Sequence, residues 1–507
     1  MSETTPRVDP VTVDPVTVDP VTVDPVTVDT VIVGSGFAGL GAAVKLDEAG
    51  RKDFVVLEKG GTLGGTWRDN VYPGCACDVE SHLYSFSFFQ NPEWTRTFAR
   101  QPEIRAYLES VADRYRLRDR IRFGVKVAGA EWDGTAWDVR TDDGTSYRAR
   151  YVLFGTGALH DPFVPEIEGL DRFAGKAFHS AQWDHSHDLA GKRVAVIGTG
   201  ASAIQFVPAI APEVESLTLF QRTAPWVLPK PDHAIPERTR TAYRRLPLLQ
   251  TLNRIALYWR HEALVAGFLH PQIMKLVQKL GLKYLDKVLA GDDELKRKVT
   301  PTFTMGCKRV LMSNDYYPAL RRDNVSVETG DITRITGRGV VTADGVEHEV
   351  DTIIFGTGFK VADGMAQMGV TGRDGVKLVD AWKDGPEALL GTTVAGFPNL
   401  FMIVGPNTGL GHSSMVFMVE SQINYVLDAM RTVDASRAVA IDTRQDSQDA
   451  YNADLQRRLG KTVWSTGGCA SWYLDENGRN RTLWPGYTFS FRRRTKAIDP
   501  AHHELIA

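Results

Sequence analysis

Two glycine-rich segments constrain the fold of this chain more than any other feature. The first, Gly34-Ser35-Gly36-Phe37-Ala38-Gly39, follows the apolar, β-branched residues 28–33, which we predict to be a buried parallel strand. Residues 40–49 are then typical of a helix, and residues 54–57 form a second apolar run that ends at Glu58. A strand, a Gly-x-Gly-x-x-Gly turn, a helix and a strand ending in an acidic residue are typical of a dinucleotide-binding βαβ unit.

The second segment, Gly198-Thr199-Gly200-Ala201-Ser202, repeats this arrangement between predicted strands at residues 193–197 and 217–220. Arg222 stands 24 residues after the first glycine of its segment, as Glu58 does in the first unit. A carboxylate at this point accepts hydrogen bonds from ribose hydroxyls, whereas a guanidinium pairs with a 2′-phosphate. We therefore predict FAD or NAD in the first unit and NADPH in the second. Two dinucleotide sites in one chain favour a flavoprotein, because flavin is the usual hydride acceptor.

Two shorter segments indicate how the chain is divided. Residues 151–157 and 351–358 are both predicted strands that run into a Gly-Thr-Gly turn, and we interpret them as the points where the chain passes between nucleotide domains. The predicted fold is α/β, with two Rossmann-like dinucleotide-binding domains and a helical insertion. The predicted FAD domain comprises residues 28–160 and 341–507, and the NADPH domain comprises residues 161–340, with the insertion at about 236–300.

The N-terminal residues form a repeat rather than a domain. Val-Asp-Pro-Val-Thr occurs four times between Val8 and Thr27. A proline in every fifth position removes a backbone donor, so neither a helix nor a sheet ladder can run through the repeat. We predict a disordered tail over residues 1–27, with a partner-binding arm as the alternative.

Composition excludes several classes of protein. The 507 residues are 43% hydrophobic and 24% charged, with a net charge of -3, so a nucleic-acid partner is not expected. No run of 18 uncharged apolar residues is present, and we expect no membrane span. No basic region followed by an apolar one marks a signal peptide at the N-terminus. Four cysteines are too few for a disulfide framework, which favours a reducing, cytoplasmic compartment.

Thiol and metal chemistry are both poorly supported. The only close cysteine pair is Cys75-Ala76-Cys77, whose disulfide ring would be strained, and neither Cys307 nor Cys469 has a near neighbour in the sequence. A dithiol mechanism at the flavin is therefore not expected. His185 and His187 lie in a polar segment without a second pair of ligands, so we predict no metal site.

One segment carries the most specific resemblance. Residues 173–184 read Phe-x-Gly-x-x-x-His-x-x-x-Trp-Asp, just before the second glycine turn. This pattern resembles the fingerprint of Baeyer–Villiger monooxygenases, and the resemblance covers nearly the whole chain after Asp29. It implies that FAD and NADPH are the cofactors, and that a C4a-peroxyflavin inserts one oxygen atom of O2 next to the carbonyl of a ketone or aldehyde. The products would be esters or lactones.

The resemblance also implies individual roles. Arg309 matches the active-site arginine over the flavin, and Asp78 matches its neighbouring carboxylate. Matching flavin-binding positions are Gly34, Gly36, Phe37, Ala38, Gly39, Glu58, Lys59, Gly65, Thr66, Trp67, Asp78, Tyr84, Val127, Arg309 and Met415. Matching NADPH positions are Gly198, Thr199, Gly200, Ala201, Ser202, Arg222, Thr223 and Lys308, with His179 in NADPH handling and domain linkage.

A fixed positive charge suits the implied chemistry. It is needed to hold a peroxide deprotonated and again to stabilise the oxyanion that develops, and arginine stays protonated at any working pH. The alternatives are a purely phosphate-binding role for Arg309 and a turn or cap carboxylate at Asp78.

Three other functions remain open at this point. The nearest is a heteroatom oxygenase of the flavin-containing monooxygenase type, acting on sulfides or amines. The others are an NADPH oxidase or reductase, and a redox sensor without turnover. The pair Lys308-Arg309 and the ending Trp183-Asp184 favour the first reading. We expect a ketone or sulfide and O2 as small-molecule partners, and a monomer or homodimer.

Two further regions have several interpretations. Residues 236–299 look helical, and residues 241–300 contain 11 Lys or Arg against 5 Asp or Glu. They form a solvated cap, a lid over a substrate tunnel, or a membrane-surface segment. Residues 464–484 are rich in Trp and Tyr, and either close over the active site or form an ordinary aromatic loop. A helix predicted to start near Ser413 would direct its positive end at the flavin.

Overall fold

The computed structural model describes residues 24–360 and 367–507, so residues 1–23 of the predicted tail lie outside the described part of the chain. The strands, in chain order, are β1 (Val26–Val33), β2 (Phe54–Glu58), β3 (Ile121–Phe123), β4 (Val127–Trp132), β5 (Trp137–Thr141), β6 (Ser146–Phe154), β7 (Lys176–His179), β8 (Arg193–Ile197), β9 (Ser216–Phe220), β10 (Val227–Leu228), β11 (Leu311–Met312), β12 (Val325–Glu328), β13 (Ile332–Ile335), β14 (Gly339–Thr342), β15 (Glu347–Glu349), β16 (Thr352–Phe355), β17 (Val370–Thr371), β18 (Leu400–Met402), β19 (Ala440–Thr443) and β20 (His503–Ile506).

The helices of the described residues vary from single turns to rods of 23 residues. In chain order they are α1 (Phe37–Glu48), α2 (Thr66–Asp69), α3 (Gln101–Arg114), α4 (Ala203–Ile210), α5 (Glu237–Arg245), α6 (Pro247–Leu269), α7 (Pro271–Val288), α8 (Asp293–Val299), α9 (Tyr316–Leu320), α10 (Leu378–Ala381), α11 (Met415–Ser436), α12 (Gln445–Leu459), α13 (Val463–Thr466) and α14 (Thr488–Arg494).

The first sheet is built around β1. Its order is β17-β4-β5-β6-β1-β2-β3, with β18 also paired to β6, and β1 runs parallel to both of its neighbours. The strand begins at Val26, two residues earlier than predicted, because Val26 and Thr27 pair with Tyr147 and Arg148 of the long strand β6. Backbone pairing with an available neighbour therefore extends order into the last copy of the repeat, up to Pro25.

The second sheet is wholly parallel and has the order β12-β9-β8-β16-β7. The predicted return to the first domain at residue 341 is too early, because β16 (Thr352–Phe355) lies between β8 and β7 in this sheet. Ile353 and Phe355 are buried against Ala195 and Ile197. The chain leaves the second sheet only after Phe355, at the second Gly-Thr-Gly segment. The segment ending at Gly157 likewise follows β6, the last strand of the first sheet before the crossing.

Both nucleotide turns are packed too closely to admit a side chain. A Cβ on Gly39 would lie 1.8 Å from the carbonyl oxygen of Gly34, so only glycine lets α1 approach the turn. Gly34 and Gly198 have φ of 96° and 105°, and their Cβ positions lie 2.8 Å and 2.6 Å from the carbonyl oxygens of Gly155 and Gly356. Each Gly-Thr-Gly segment therefore packs on the first glycine of its own turn. The prediction of an α/β fold with two Rossmann-like units is confirmed.

Helix α1 begins at Phe37, three residues earlier than predicted, with Gly36 as its N-cap. The third glycine of the turn thus lies inside the first helical turn. Helices α5 to α8 occupy residues 237–299 and form the predicted insertion between β10 and β11. Within the described ranges, no helix is long and apolar enough to cross a membrane. The same residues contain no group of three or more His, Cys, Asp or Glu side chains able to hold a metal ion.

Candidate active site

The centre of the site is an ion pair between two loops. Arg309 Nε donates to Asp78 Oδ2 at 2.6 Å, and Arg309 Nη1 donates to the carbonyl oxygen of Leu410 at 3.2 Å. About one third of each of the two side chains is exposed. Burial opposes ionisation of Asp78, but the charge and hydrogen bond of Arg309 hold the pKa of Asp78 below its usual value. The carboxylate in turn raises the pKa of Arg309, so both groups are ionised at every pH at which the protein works.

Lys230 is a second cation next to Asp78, and no sequence pattern predicted it. Its Nζ donates to the carbonyl oxygen of Cys77 at 3.0 Å, next to Asp78. Burial lowers the pKa of Lys230, while Asp78 opposes that shift. The lysine comes from the segment after β10, 152 residues away from Asp78 in the chain. No local pattern connects these two positions, which explains why sequence reasoning missed it.

Three aromatic residues of the first unit meet beside the glycine turn. Trp67 Nε1 donates to the hydroxyl oxygen of Tyr84 at 3.1 Å, and Phe37 packs edge-on against Tyr84 with ring centroids 5.0 Å apart. Gly65 precedes α2 with φ of 52°, and a Cβ on it would lie 3.2 Å from Gly36 Cα. The predicted residues Gly36, Phe37, Gly65, Thr66, Trp67 and Tyr84 are therefore brought together.

Glu58 holds the glycine turn in place. Its Oε2 accepts from the backbone nitrogen of Ser35 at 2.9 Å and from Ser35 Oγ at 2.7 Å. Its Oε1 accepts from the backbone nitrogen of Gly60 at 2.7 Å and from Arg68 Nη1 at 2.6 Å. Burial alone would raise the pKa of Glu58, but these hydrogen bonds lower it. Arg68 is a further residue that the sequence did not single out.

The other predicted residues of the first unit lie around this turn. Lys59 is exposed directly after Glu58, and Val127 begins β4 with its side chain buried. Met415 is the first residue of α11, and the side chain of Ser414 caps that helix by accepting from the backbone nitrogen of Val416. The predicted helix start near Ser413 is close to the observed one.

The second unit presents two neighbouring cations. Arg222 is exposed immediately after β9, and Thr199 Oγ1 donates to the carbonyl oxygen of Thr223 at 3.1 Å. Burial and the nearby charge of Arg222 lower the pKa of Lys308. Among the described residues, neither Arg222 nor Lys308 has a carboxylate within ion-pair distance. Two unneutralised cations at this point form a suitable site for a phosphate.

His179 lies where the chain passes between the sheets. It ends β7 and is almost wholly buried, and its ring lies 5.6 Å from that of Phe359, just after the second Gly-Thr-Gly segment. Its Nδ1 accepts from the backbone nitrogen of Ala181 at 3.1 Å, and within the described residues its Nε2 has no partner. Burial lowers the pKa of His179, which favours the neutral imidazole.

Residues 464–484, here called the C-terminal segment, cover residues 303–310, here called the arginine loop because they contain Arg309. A disulfide joins the two segments. Cys307 and Cys469 are bonded, with Cα atoms 6.2 Å apart, whereas Cys75 and Cys77 are free and buried. Neither Cys307 nor Cys469 has a near neighbour in the sequence, and this disulfide was not predicted. The two residues are separated by 162 positions in sequence, and only the packing of the C-terminal segment brings them together. The same segment places Tyr473 near Arg309, whose charge opposes the burial that raises the pKa of Tyr473 to about 12.

A buried polar cluster fixes the insertion to this site. His261 Nε2 lies 2.6 Å from Glu80 Oε2, and His261 Nδ1 lies 2.5 Å from the carbonyl oxygen of His412. Glu262 accepts from the backbone nitrogen and the hydroxyl of Thr488, at 2.9 Å and 2.6 Å. The insertion is therefore attached through α6 to the loop that follows Asp78 and to the loop that precedes α11.

The residues present fit two dinucleotides. No side chain of the described residues caps the N-terminus of α1 or α4, which leaves backbone N–H groups at each helix start for a pyrophosphate. Gly34 and Gly39 of the first turn and Gly198 of the second have no room for a Cβ. The following strands end at Glu58 in one unit and just before Arg222 in the other. At this position of a dinucleotide-binding unit, a carboxylate suits ribose hydroxyls and an arginine suits a 2′-phosphate.

Comparison with known proteins supports this arrangement. The family described as pyridine nucleotide-disulphide oxidoreductase matches residues 31–242. A Baeyer-Villiger monooxygenase of Pseudomonas aeruginosa is 54% identical over 474 residues, which cover 93% of this chain and 90% of the relative. The structure of cyclohexanone monooxygenase from Rhodococcus sp. Phi1 bound to NADP+ has a TM-score of 0.85 at 30% identity, covering 95% of this chain and all of the other. That of OTEMO with FAD and NADP has a TM-score of 0.84 at 26% identity, covering 94% and 99%.

Proposed function

Because this chain belongs to the Baeyer–Villiger monooxygenases, we propose that Arg309, held by Asp78, is the cationic residue that serves oxygen insertion. The protein is an FAD- and NADPH-dependent oxidoreductase that converts ketones to esters or lactones. When bound, NADPH supplies the electrons and FAD supplies the activation of O2. The remaining steps concern what the side chains of this chain do.

The 2.6 Å hydrogen bond between Arg309 and Asp78 carries the proposal. It uses Nε of the guanidinium, and among the described residues Nη2 has no hydrogen-bond partner, so Nη2 can face a reacting oxygen. Because the pKa of Arg309 is raised, the group cannot lose its proton, and it stabilises negative charge without acting as an acid. Asp78 keeps the plane of the guanidinium fixed and acts as a positioning residue.

The two nucleotide sites are assigned by charge. We propose that Glu58 recognises ribose hydroxyls and that Lys59 adds a cation at the rim of the flavin site. Arg222, Lys308 and Thr223 would hold the 2′-phosphate of NADPH. His179 would position the segment at Phe359 between the two units. A neutral histidine ring can pack against Phe359 without adding charge beside the cofactors.

Water exclusion is the proposed role of the C-terminal segment. Trp464, Tyr473 and Trp484 are buried in one cluster with Phe268 of the insertion, and the disulfide holds this cluster against the loop of Arg309. A site without water strengthens the field of the guanidinium and protects reactive intermediates from side reactions with water. We further propose a cytoplasmic enzyme that acts as a monomer or homodimer, with a ketone and O2 as reactants.

Arg309→Ala tests the assignment. With NADPH, O2 and a panel of ketones, the wild-type protein should give products that are one oxygen atom heavier, identified as esters or lactones by mass analysis. The variant should lose this activity about 100-fold or more, the usual effect of removing one oxyanion-stabilising group. The rate at which NADPH bleaches the flavin absorbance should stay within about threefold, since hydride transfer does not use this charge.

Two matched variants complete the experiment. Asp78→Asn keeps the shape of the pair and removes the charge, and it should fall between wild type and Arg309→Ala. Arg334→Ala, an exposed arginine on β13, should leave ester formation unchanged. Ester formation at the wild-type rate by Arg309→Ala would show that another group stabilises the oxyanion.

A further inference from the structure

Over residues 247–262, helix α6 exposes apolar side chains and buries polar ones, which is the reverse of an ordinary surface helix. Four large apolar side chains at helical spacing are between 46% and 68% exposed: Leu248, Leu252, Ile255 and Trp259. Up to residue 262 the buried face contains four polar side chains, Gln250, Arg254, His261 and Glu262, and the buried apolar side chains Val265 and Phe268 follow only near the end of the helix. A helix that only covers a protein core places these two classes the other way.

The buried polar side chains all have partners, so this orientation is well determined by contacts. Gln250 donates to the carbonyl oxygen of Asn91 at 2.7 Å, and Arg254 donates to that of His82 at 2.7 Å. His261 and Glu262 belong to the polar cluster described above. Rotating α6 to bury its apolar stripe would break each of these bonds.

Helix α7 extends the apolar surface and adds positive charge. Ile273, Leu276 and Leu280 are exposed at helical spacing. Lys283 and Lys287 stand seven residues after Leu276 and Leu280, so they continue the same stripe. Two more exposed lysines, Lys275 and Lys279, flank it. We call the exposed stripes of α6 and α7, with these lysines, the α6–α7 face.

The concentration of apolar side chains in this region is high. Ten of the twenty large apolar side chains that are exposed in the described residues lie between residues 246 and 280. The patch also continues onto α14, where the exposed ring of Phe489 lies 6.0 Å from that of Trp259. Contiguous apolar surface bordered by charge marks an interaction site on a water-facing protein.

The positive charge of the α6–α7 face indicates an anionic partner. The exposed carboxylate of α7, Asp286, lies 2.5 Å from Lys296, so it does not neutralise the four lysines. A second copy docked symmetrically on the same face would set lysine against lysine, which is unfavourable. Anionic phospholipid headgroups complement the lysines, and the acyl boundary accepts leucine, isoleucine and tryptophan.

We propose that the α6–α7 face lies on an anionic membrane surface, with the two helices in the plane of the headgroups. This is peripheral docking, because no described helix could cross a bilayer. The polar cluster under α6 joins this face to the loops around Arg309, so the docked side of the protein is the side that the insertion covers.

Vesicle binding tests the proposal with the FAD-loaded full chain. Co-flotation with phosphatidylcholine vesicles is compared with co-flotation with vesicles containing 30 mol% phosphatidylglycerol, roughly the anionic fraction that gives strong attraction of basic segments. The bound fraction should rise about tenfold with anionic lipid and fall again in high salt. The triple variant Leu248→Gln, Leu252→Gln, Trp259→Gln should abolish binding, and so should Lys275→Glu, Lys279→Glu, Lys283→Glu.

Matched controls use exposed residues elsewhere. Val376→Gln with Val379→Gln, and Lys52→Glu with Lys377→Glu and Lys383→Glu, should bind anionic vesicles as the wild type does. Thermal melting reports whether each variant folds. In a separate measurement, brominated lipid should quench part of the tryptophan fluorescence of the wild type, and the single variant Trp259→Phe should lose that quenching. Equal binding to neutral and anionic vesicles, no binding, or equal loss in the controls would each overturn the proposal. So would a concentration-dependent dimer that the apolar triple variant dissolves, since that result assigns the face to a second copy.

Discussion

At the residue scale, a comparison of two carboxylates shows that a close cationic partner can outweigh burial in setting the charge state. Asp78 has a guanidinium at 2.6 Å, and its pKa is lowered although burial opposes this. Asp442 is more deeply buried, with 1% of its side chain exposed against 31% for Asp78, and Arg373 Nη1 is 3.7 Å away. Burial therefore prevails there and raises the pKa of Asp442 to about 6.

Asp442→Asn should make the protein more stable at neutral and alkaline pH. A carboxyl whose pKa is raised on folding stabilises the folded state fully below its unfolded pKa, and that contribution is lost as pH rises through about 6. A shift of this size corresponds to roughly 3 kcal/mol at most. Melting temperatures should therefore favour the variant by several degrees at pH 8 and by clearly less at pH 4.5, which lies near the unfolded pKa.

The exposed carboxylate Asp380 supplies the control for this experiment. Asp380→Asn should leave the pH dependence of the melting temperature unchanged. If Asp442→Asn is destabilised equally at both pH values, the hydrogen bonds from the backbone nitrogens of Gly396 and Thr443 matter more than the charge.

The residues that sequence reasoning could find are those with local patterns. Glu58 and Arg222 were placed by counting from a glycine turn, because a βαβ unit has a nearly fixed length. Arg68 and Lys230 have no such pattern, since their partners are determined by how separate loops meet. His261 lies within a helix whose inward face the sequence period alone does not reveal, because periodicity shows that a helix has two faces but not which one is buried.

At the element scale, the contact between α1 and its turn is the tightest constraint. Gly39→Ala places a methyl group 1.8 Å from the carbonyl oxygen of Gly34, so α1 must move away from β1. We expect this variant to purify without the yellow colour of FAD, or to be insoluble. Gly200→Ala, whose Cβ would meet nothing closer than 3.6 Å, should retain FAD absorbance at 450 nm to within about 20%.

The disulfide between the arginine loop and the C-terminal segment makes a second prediction at this scale. Closing a loop of 162 residues stabilises a protein by roughly 5 kcal/mol at most in the chain-entropy description. Cys307→Ala with Cys469→Ala should therefore lower the melting temperature and abolish its response to a thiol reductant. The variants Cys75→Ala and Cys77→Ala should keep that response, because both thiols are free.

A reducing cytoplasm would favour the thiol forms of Cys307 and Cys469. Trapping thiols in intact cells with an alkylating agent, followed by peptide mass analysis, measures which form is present. If the disulfide persists there, its burial protects it from cellular reductants, since Cys307 is 1% exposed. The sequence could not indicate the pair, because a cysteine count does not reveal which distant segments pack together.

At the scale of the whole molecule, we propose that the charge at equivalent positions of the two sheets, Glu58 and Arg222, selects which nucleotide each one binds. Arg222→Ala and Lys308→Ala should each raise the KM for NADPH by about 10- to 100-fold, the usual cost of a lost hydrogen bond to a charged group. The KM for NADH should change by less than about twofold, since NADH has no 2′-phosphate. Steady-state kinetics with both nucleotides measures the difference.

Arg334→Ala, at an exposed arginine of β13, supplies the matched control and should leave both KM values unchanged. An equal rise for NADPH and NADH would contradict recognition of the 2′-phosphate and would indicate general electrostatic attraction instead.

The division of the chain between the two sheets could be predicted from the sequence only as far as the two Gly-Thr-Gly segments, which mark where the chain crosses. The exact return point was not, because β16 has the same apolar composition as strands of either sheet.

The direction of β1 has a consequence for protein engineering. Its eight residues extend roughly 25 Å at about 3.3 Å each, and they separate Val26 from the glycine turn at Gly34. The glycine turn at Gly34 follows the carboxyl end of β1, whereas the repeat joins its amino end. A second enzyme fused ahead of residue 24, such as a dehydrogenase that regenerates NADPH, would therefore be attached at the end of β1 opposite this first glycine turn, so the linker would not start at the opening of that site.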